Sequence, residues 1–385
     1  YSLPEALRSS ILELAGESME SVFKALDFGR YAITKLWWQW FGKPKYSRIR
    51  KLAIVQDKEG KSRVIAILDY WSQTVLRPLH QHLNVLLSSL KQDCTFDQGS
   101  FISKLPTKGP YYSLDLTNAT DRMPIALQQR ILSSIIGESK AAAWALILTG
   151  YEYYYQGNLY KYNTGQPMGA YSSWPMMALT HHFLVMVAAY RARKFSFNSY
   201  VILGDDIVIA DHKVAEQYKK LLSELDMPLS TAKTHVSNDT FEFAKRWVHK
   251  GQEVSPFAVH GLLETAKRYY LFASFIKTMQ SHGWLLGDGD PEFILSASLK
   301  LRGFQSERID RILKLYRSFN LLDLFFKSEE SSREEAAAQF IELWALPVFG
   351  GLSPSVSLQK VSEVIQSEQA ERVEVLLKSL KAKFL

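Results

Sequence analysis

Two adjacent acids in the sequence are of a type and spacing that suit divalent-metal chemistry. Asp205 and Asp206 follow Gly204 between two apolar segments, 200–203 and 207–210, so a hairpin is predicted with the acids at its turn. Adjacent carboxylates repel each other, and a bound divalent cation removes that cost. A plain hairpin turn is an equally good interpretation of these residues alone, because Gly-Asp pairs are common turn formers.

A second pair of acids lies earlier in the chain. Asp115 stands in the apolar segment 111–116, a predicted strand, and Asp121 follows six residues later. A carboxylate among residues that are expected to pack needs a charged partner. Asp121 has an alternative role as a helix N-cap, since Pro124 follows closely. Acids on separate strands can meet across a sheet and hold two Mg²⁺ ions about 4 Å apart, the arrangement for in-line phosphoryl transfer.

A loop rich in glycine and serine precedes a predicted long helix. Gly165 and Gly169 let the backbone approach a ligand closely, and Ser172 and Ser173 bring hydroxyl groups to the start of the helix. Such a segment suits polar or anionic groups. A loop followed by a helix cap is the alternative interpretation.

Basic side chains are concentrated near the beginning of the chain. Residues 41–110 hold 12 basic and 5 acidic side chains, which accounts for the whole excess of 7 positive charges and suggests a polyanionic partner. Solubility alone also explains a surplus of this size. Lys61 and Arg63 alternate along a predicted strand, so both lie on one face, which Ile65 and Ile67 continue inward. A charged edge strand facing solvent is the alternative.

The composition is that of a globular protein and excludes a disordered or collagen-like chain. Of 385 residues, 47% are hydrophobic and 22% charged. Cys94 is the single cysteine, which excludes an intrachain disulfide and a cysteine-rich zinc site. The longest apolar run is too short and too polar to span a bilayer, because His181 and His182 interrupt it. These histidines are expected to pack within or on a helix, since adjacent helical residues point apart.

The order of these segments is that of the palm of nucleic-acid polymerases: a basic hairpin, Asp-x5-Asp, a Gly/Ser loop before a helix, Gly-Asp-Asp, and a lysine after a further helix. On these residues the chain resembles viral RNA-dependent RNA polymerases, and most of all the mitovirus type of the narnavirus-like group. The resemblance covers about residues 45–260, and the C-terminal third is assigned by position. The segments that carry it are 115–122, 165–174, 178–182, 203–206 and 241–247.

The resemblance implies a helix-rich α+β fold, the right hand of fingers, palm and thumb, with an antiparallel palm sheet packed on helices. Residues 1–108 would form an N-terminal extension and fingers, 109–137 and 165–255 the palm, 138–164 a fingers insertion, and 256–385 the thumb.

The resemblance also implies roles for individual residues. Asp115 and Asp205 would be the main ligands of two Mg²⁺ ions, for which Mn²⁺ is a possible substitute, with Asp206 supporting them. Lys233 stands where the family carries a lysine that can protonate the leaving pyrophosphate, and an exposed lysine is an equal alternative. The nucleotide would be bound by Lys61, Arg63, Asp121, Gly169, Ser172 and Ser173, with Asp121 reading the ribose 2′-hydroxyl with the help of Ser172 or Ser173. RNA would be bound by Lys43, Lys45, Arg48, Arg50, Lys51, Lys245 and Arg246.

The function that the resemblance implies is RNA-dependent RNA synthesis from rNTPs in replication of a viral RNA genome, by a soluble monomer in the host mitochondrion. A reverse transcriptase and a non-catalytic RNA-binding remnant of a viral polymerase are the alternatives. Gly204 and Asp121 argue against the former, which usually has an aromatic-x-Asp-Asp turn and a bulky residue against the 2′-hydroxyl. Many related polymerases have an asparagine in the helix after the Gly/Ser loop, whereas Met176, Met177 and Ala178 stand here. Which residue completes ribose selection therefore stays open.

Overall fold

The computed structural model describes residues 3–17, 19–27, 49–56, 60, 62–230, 233–267, 271–284, 291–327, 330–346, 351–361 and 363. The chain divides into two compact units, Tyr1–Pro256 and Phe257–Leu385. No helix within the described ranges is long and apolar enough to cross a membrane.

The first unit combines helices with three sheets. Its helices are α1 (Glu5–Ala15), α2 (Tyr70–Ser89), α3 (Phe101–Lys104), α4 (Ala119–Arg122), α5 (Ile125–Ile136), α6 (Glu138–Thr149), α7 (Ser173–Arg191) and α8 (His212–Glu224), and residues 19–27 are also helical. Its strands are β1 (Lys51–Gln56), β2 (Ser62–Ile67), β3 (Tyr111–Asp115), β4 (Tyr153–Tyr155), β5 (Asn158–Tyr160), β6 (Tyr200–Leu203), β7 (Asp206–Ile209), β8 (His235–Ser237), β9 (Thr240–Phe243), β10 (Arg246–His249) and β11 (Gln252–Glu253).

The central sheet has the strand order β6-β7-β3-β8, and each neighbouring pair is antiparallel. A second sheet has the order β2-β1-β4-β5, in which β1 and β4 are parallel and the other pairs antiparallel. The third, β11-β10-β9, is antiparallel.

Both faces of the central sheet are covered, as the alternation of its side chains requires. Tyr112, Leu114, Ile207 and Ile209 belong to the core formed with α7 and α8. The residues that alternate with them, such as Tyr111, Val201 and Val208, pack instead with α3, β9 and β10. The predicted helix-rich α+β architecture with an antiparallel sheet packed on helices is confirmed.

Two local predictions are corrected by the strand boundaries. The turn between β6 and β7 has two residues, Gly204 and Asp205, because Leu203 pairs with Asp206; Asp206 is therefore the first residue of β7. In β2 the buried residue is Ala66, and Ile67 is 41% exposed rather than directed inward.

The described part of the second unit is helical. It contains α9 (Val259–Lys267), α10 (Phe272–Ser281), α11 (Pro291–Leu301), α12 (Ser306–Lys327) and α13 (Glu330–Trp344), and residues 354–361 are also helical. Its core includes Phe272, Ile276 and Met279 of α10, Leu299 of α11 and Ile309 of α12.

Candidate active site

Two of the predicted acids meet across the central sheet. The antiparallel register of β3 and β7 places Asp115, the last residue of β3, directly opposite Asp206, the first residue of β7. Side chains of directly opposite residues lie on the same face, with Cβ atoms roughly 4.5–5.5 Å apart. Both residues are half-buried, and they share their face with Val208. The sheet thus brings two carboxylates together at the ends of its two inner strands.

The third acid, Asp205, lies at the turn beside them. Gly204 before it has φ +63°, and a Cβ atom there would lie 2.1 Å from the indole ring of Trp174. The turn therefore requires glycine for its backbone conformation and for the close approach of the tryptophan.

Burial and mutual repulsion disfavour the charged forms of the adjacent acids. The pKa of Asp205 is raised by burial and by the charge of Asp115, while Lys233 and Arg63 act in the opposite direction. Burial, followed by the charges of Asp205, Asp115 and Glu242, raises the pKa of Asp206 to about 6. A cation bound here would relieve both effects.

Lys233 lies against the acids. Its Nζ donates a hydrogen bond of 2.9 Å to Oδ2 of Asp115, and this partner raises the pKa of the lysine. The lysine side chain is 53% exposed and that of Asp115 is 17% exposed. The structure thus brings Lys233 to the predicted site, whereas its role as a proton donor stays a prediction.

Glu242 is a member of this acidic group that sequence reasoning missed. Its backbone N–H donates to the Oγ of Ser113 at 3.0 Å, which fastens β9 to β3, and its charge contributes to the raised pKa of Asp206. Glu242 belongs to a different sheet, so no spacing in the sequence connects it to the other acids.

A cavity of about 480 Å³ opens beside the turn. It brings together four residues that were predicted to act on the nucleotide or the metal, Arg63, Gly169, Ser173 and Asp205. Residues that sequence reasoning did not select also line it, among them Gln73, Thr120, Tyr171, Trp174 and Met177.

The Gly/Ser loop forms one wall of this cavity and lies directly on neighbouring backbone. A Cβ atom at Gly165 would be 2.2 Å from the carbonyl oxygen of Thr120, and one at Gly169 would be 2.7 Å from that of Ala66. The backbone N–H of Ala66 donates to the carbonyl of Met168 at 2.7 Å. The loop thereby joins the strand of Arg63 to the segment of Asp121.

Side chains from α2 fix the next part of the loop. Gln73 donates to the carbonyl of Gly169 and accepts from the N–H of Tyr171, both at 2.9 Å. The hydroxyl of Ser172 accepts a hydrogen bond of 2.8 Å from the indole N–H of Trp144, and Ser172 is fully buried. This placement contradicts a contact of Ser172 with the ribose, whereas Ser173 lines the cavity.

Asp121 is exposed beside Thr120, a residue of the cavity wall. It is the third residue of α4, whose N-cap position is Asn118, and the N-cap position of α5 is Pro124. The N-cap interpretation of Asp121 is therefore wrong. Partial desolvation by surrounding atoms raises the pKa of its carboxyl group.

Arg50 is not available to RNA, which corrects its predicted role. Its guanidinium is fully buried and donates to Asp69 at 3.1 Å, to the carbonyl of Ile147 at 2.7 Å and to Ser72 at 2.8 Å. Asp69 also caps α2 by accepting from the N–H of Ser72. Arg50 is thus a structural residue that holds β1 to α2 and α6.

Arg246 is likewise engaged within the fold, and its side chain is only 17% exposed, which disfavours its predicted RNA contact. It forms an ion pair with Glu253 and donates to the carbonyl of Gln98 at 2.9 Å, and its guanidinium lies 4.8 Å from the ring centre of Phe101. Of the other predicted cations, Lys51 and Lys245 are exposed. Lys43, Lys45, Arg48 and Lys61 lie outside the described residues.

In a comparison with known protein families, the family described as Mitovirus RNA-dependent RNA polymerase matches residues 10–331 of the chain. The chain belongs to this family. The prediction from the order of the motifs is therefore confirmed, and with it the right-hand polymerase fold class.

Two relatives illustrate the match. The RNA-directed RNA polymerase of Cryphonectria parasitica mitovirus 1 is 44% identical over 203 residues, which is 51% of this chain and 25% of that protein. An uncharacterized mitochondrial protein of Arabidopsis thaliana is 37% identical over 194 residues, which is 47% of this chain and 77% of that protein. This mitovirus polymerase thus has a much longer chain than the segment it shares with this one.

Similarity to solved structures is weaker. The crystal structure of the RNA-dependent RNA polymerase of a human picobirnavirus has a TM-score of 0.44 and 16% identity, covering 85% of this chain and 62% of that one. Membership of the family rests on the sequence match over residues 10–331.

The donor set of the acidic site fits a divalent metal. Carboxylate oxygens are the ligands that Mg²⁺ prefers, and Mg²⁺ is usually held by one or two carboxylates together with water and substrate phosphates. Within the part of the chain that the structure describes, no three acidic, histidine or cysteine side chains are arranged to hold a metal by themselves.

Proposed function

We propose that this chain carries the catalytic centre of an RNA-dependent RNA polymerase, which transfers nucleotides from rNTPs to an RNA 3′-hydroxyl and replicates a viral RNA genome. The observation that carries the proposal is the pairing of Asp115 with Asp206 across β3 and β7, with Asp205 at the adjoining turn and a cavity beside it. Membership of the mitovirus polymerase family supports it.

Asp115 and Asp205 would hold two Mg²⁺ ions, or Mn²⁺ in their place, with Asp206 in support. When bound, the ions would activate the attacking hydroxyl and stabilise the leaving phosphate. Lys233 would act as the proton donor to the leaving pyrophosphate. The hydrogen bond from Lys233 to Asp115 supports this role, because it places the ammonium group beside the proposed metal ligands.

The cavity would bind the incoming nucleotide. Arg63 would bind the triphosphate through two parallel hydrogen bonds, together with Lys61. Gly169 would let the loop backbone approach the nucleotide, and Asp121 with Ser173 would select the ribose. The location of Arg63, Gly169 and Ser173 in one cavity with Asp205 supports this assignment.

RNA would be bound by Lys51 and Lys245, together with Lys43, Lys45 and Arg48. We propose the same subdivision as the resemblance implies: extension and fingers over 1–108, palm over 109–137 and 165–255, fingers insertion over 138–164, and thumb over 256–385. The division into units at Pro256 supports the last boundary. A mitochondrial location is supported by the mitovirus family and by the Arabidopsis relative, and the chain would act as a monomer.

Primer extension on an RNA template, with rNTPs or dNTPs and with or without Mg²⁺, tests the proposal. We expect Mg²⁺-dependent extension with rNTPs that Asp205→Asn abolishes. Asp226→Asn is the matched control, because the same change is made at a side chain that is 94% exposed. Preference for dNTPs would instead indicate a reverse transcriptase. RNA binding without extension by either substrate would indicate a non-catalytic RNA-binding protein.

A further inference from the structure

A fully buried histidine contacts the turn that carries Asp205. Nδ1 of His181 lies 2.8 Å from the carbonyl oxygen of Gly204, and Nε2 lies 2.6 Å from the hydroxyl of Tyr218. A carbonyl oxygen only accepts hydrogen bonds, so Nδ1 carries the hydrogen and Nε2 accepts from Tyr218. One neutral tautomer satisfies both contacts.

The surroundings hold this tautomer in place. His181 is on α7 and Tyr218 is on α8, and their rings stack with centroids 5.8 Å apart. Burial lowers the pKa of His181 to about 4 and raises the pKa of Tyr218. Both side chains are therefore neutral at physiological pH, and the direction of both hydrogen bonds is fixed.

The contact with Gly204 bears on Asp205 through a single peptide group. The Gly204 carbonyl and the Asp205 N–H belong to the same planar peptide and point in opposite directions. The backbone N–H of Asp205 lowers the pKa of its own carboxyl group, so this N–H favours the charged carboxylate. His181 holds the Gly204 carbonyl on the buried side of the turn. The Asp205 N–H therefore points to the opposite side, and this orients the Asp205 carboxylate.

We propose that His181, oriented by Tyr218, is a positioning residue that fixes the Gly204–Asp205 peptide and thereby the Asp205 carboxylate for divalent-cation binding. This inference rests on the proposed function, since it assigns His181 to the same metal site. His181 acts through the turn and does not touch substrate.

The neighbouring His182 is a matched control within the same helix. It is also buried, at 4% exposure, and is bonded to Asp93 and to Tyr200, both at 3.1 Å. Neither partner is a residue of the turn formed by Gly204 and Asp205. Replacing either histidine disturbs the packing of α7, but only the change at 181 removes a hydrogen bond to the turn.

The test is Mn²⁺ binding by the full chain, measured from the electron paramagnetic resonance signal of free Mn²⁺. Loss of one hydrogen bond predicts that His181→Leu weakens Mn²⁺ binding about tenfold. His181→Asn keeps an N–H donor near the position of Nδ1 and should weaken it less than about threefold. Tyr218→Phe preserves volume and should lower affinity by an intermediate factor, while His182→Leu should stay within about twofold of the wild type.

Primer extension provides a second measurement on the same variants. The Mg²⁺ concentration for half-maximal rate should rise for His181→Leu, while the KM for nucleotide at saturating Mg²⁺ stays near the wild-type value. A general loss of packing would not separate these two quantities.

Unchanged Mn²⁺ affinity in His181→Leu, or equal weakening in His182→Leu, would overturn the inference. If His181→Leu does not fold, an unchanged affinity in Tyr218→Phe would overturn it. Wild-type protein that binds no Mn²⁺, or whose binding is insensitive to Asp205→Asn, would overturn the proposed metal site itself, and the two failures are thereby distinguished.

Discussion

Replacing Asp206 by asparagine should stabilise the metal-free protein, and more so at alkaline than at acidic pH. The folded protein raises the pKa of this carboxyl group from the ordinary 3.8 to about 6. A carboxyl group with a raised pKa favours folding in its protonated form, so its contribution to stability is lost as the pH rises through about 6. Asparagine is neutral at every pH, so the variant does not lose stability in this way as the pH rises.

The magnitude follows from the size of the shift. Each pKa unit corresponds to 1.36 kcal/mol, so a rise of about two units is worth about 3 kcal/mol once the pH is well above 6. In the unfolded chain this carboxyl group titrates near pH 4, so part of the destabilisation is already present at pH 4.5. The stability gain of Asp206→Asn over the wild type should grow by about 2 kcal/mol between pH 4.5 and pH 8.

Urea unfolding in EDTA at the two pH values, followed by circular dichroism, measures this difference. Asp226→Asn, at an exposed side chain, should change stability by less than about 0.5 kcal/mol at both values. Addition of Mn²⁺ should stabilise the wild type more than Asp206→Asn, since the cation offsets the repulsion in the wild type. A gain from Asp206→Asn that is equal at both pH values, or larger at pH 4.5, would refute the electrostatic reasoning.

Three further predictions concern other parts of the site and its support. Arg63→Ala should raise the apparent KM for nucleotides about tenfold or more, and Arg63→Lys should still be impaired, because a charge-assisted hydrogen bond is worth about 1.5–3 kcal/mol. Unchanged KM and kcat of Arg63→Ala in steady-state kinetics would remove Arg63 from triphosphate binding. Asp121→Ala should narrow the preference for rNTP over dNTP by roughly tenfold to hundredfold; competition assays that give an unchanged preference would remove Asp121 from ribose selection. Arg50→Ala should destabilise the protein by about 3–5 kcal/mol, because it leaves Asp69 buried without its cation; an unfolding midpoint like that of the wild type would contradict the structural role.

The elements of the site could be predicted from the sequence because their signals are local. The apolar segments around Gly204 define two strands, and the alternation within the segment around Asp115 defines a third. What local patterns did not determine is the length of the turn. A turn shorter by one residue moves Asp206 into β7, and only the pairing register then shows that it faces Asp115.

The structural roles of Arg50 and Arg246 could not be predicted, because the sequence shows the charge of a side chain but not its burial in the fold. Arg50 belongs to a basic segment, yet Asp69 and two further partners hold it in the interior. Arg246 lies within a segment that carries the family resemblance, yet Glu253 engages its guanidinium. Ser172 was misassigned for the same reason, since the indole of Trp144 that accounts for its burial is remote in the sequence.

The electrostatics of the site bear on the choice between a polymerase and an RNA-binding remnant. Carboxylates repel RNA phosphates, so an acidic group beside the cavity lowers the affinity for RNA when no cation is present. The same acids also destabilise one another, as the raised pKa of Asp206 indicates. A protein that only bound RNA would gain both stability and affinity from neutral residues at these positions. Divalent cations held by these carboxylates would offset both costs and would supply the charge stabilisation that nucleotide transfer requires. The acidic group therefore favours catalysis over RNA binding alone, and the comparison of Asp206→Asn with the wild type, with and without Mn²⁺, tests whether a cation offsets the repulsion among these acids.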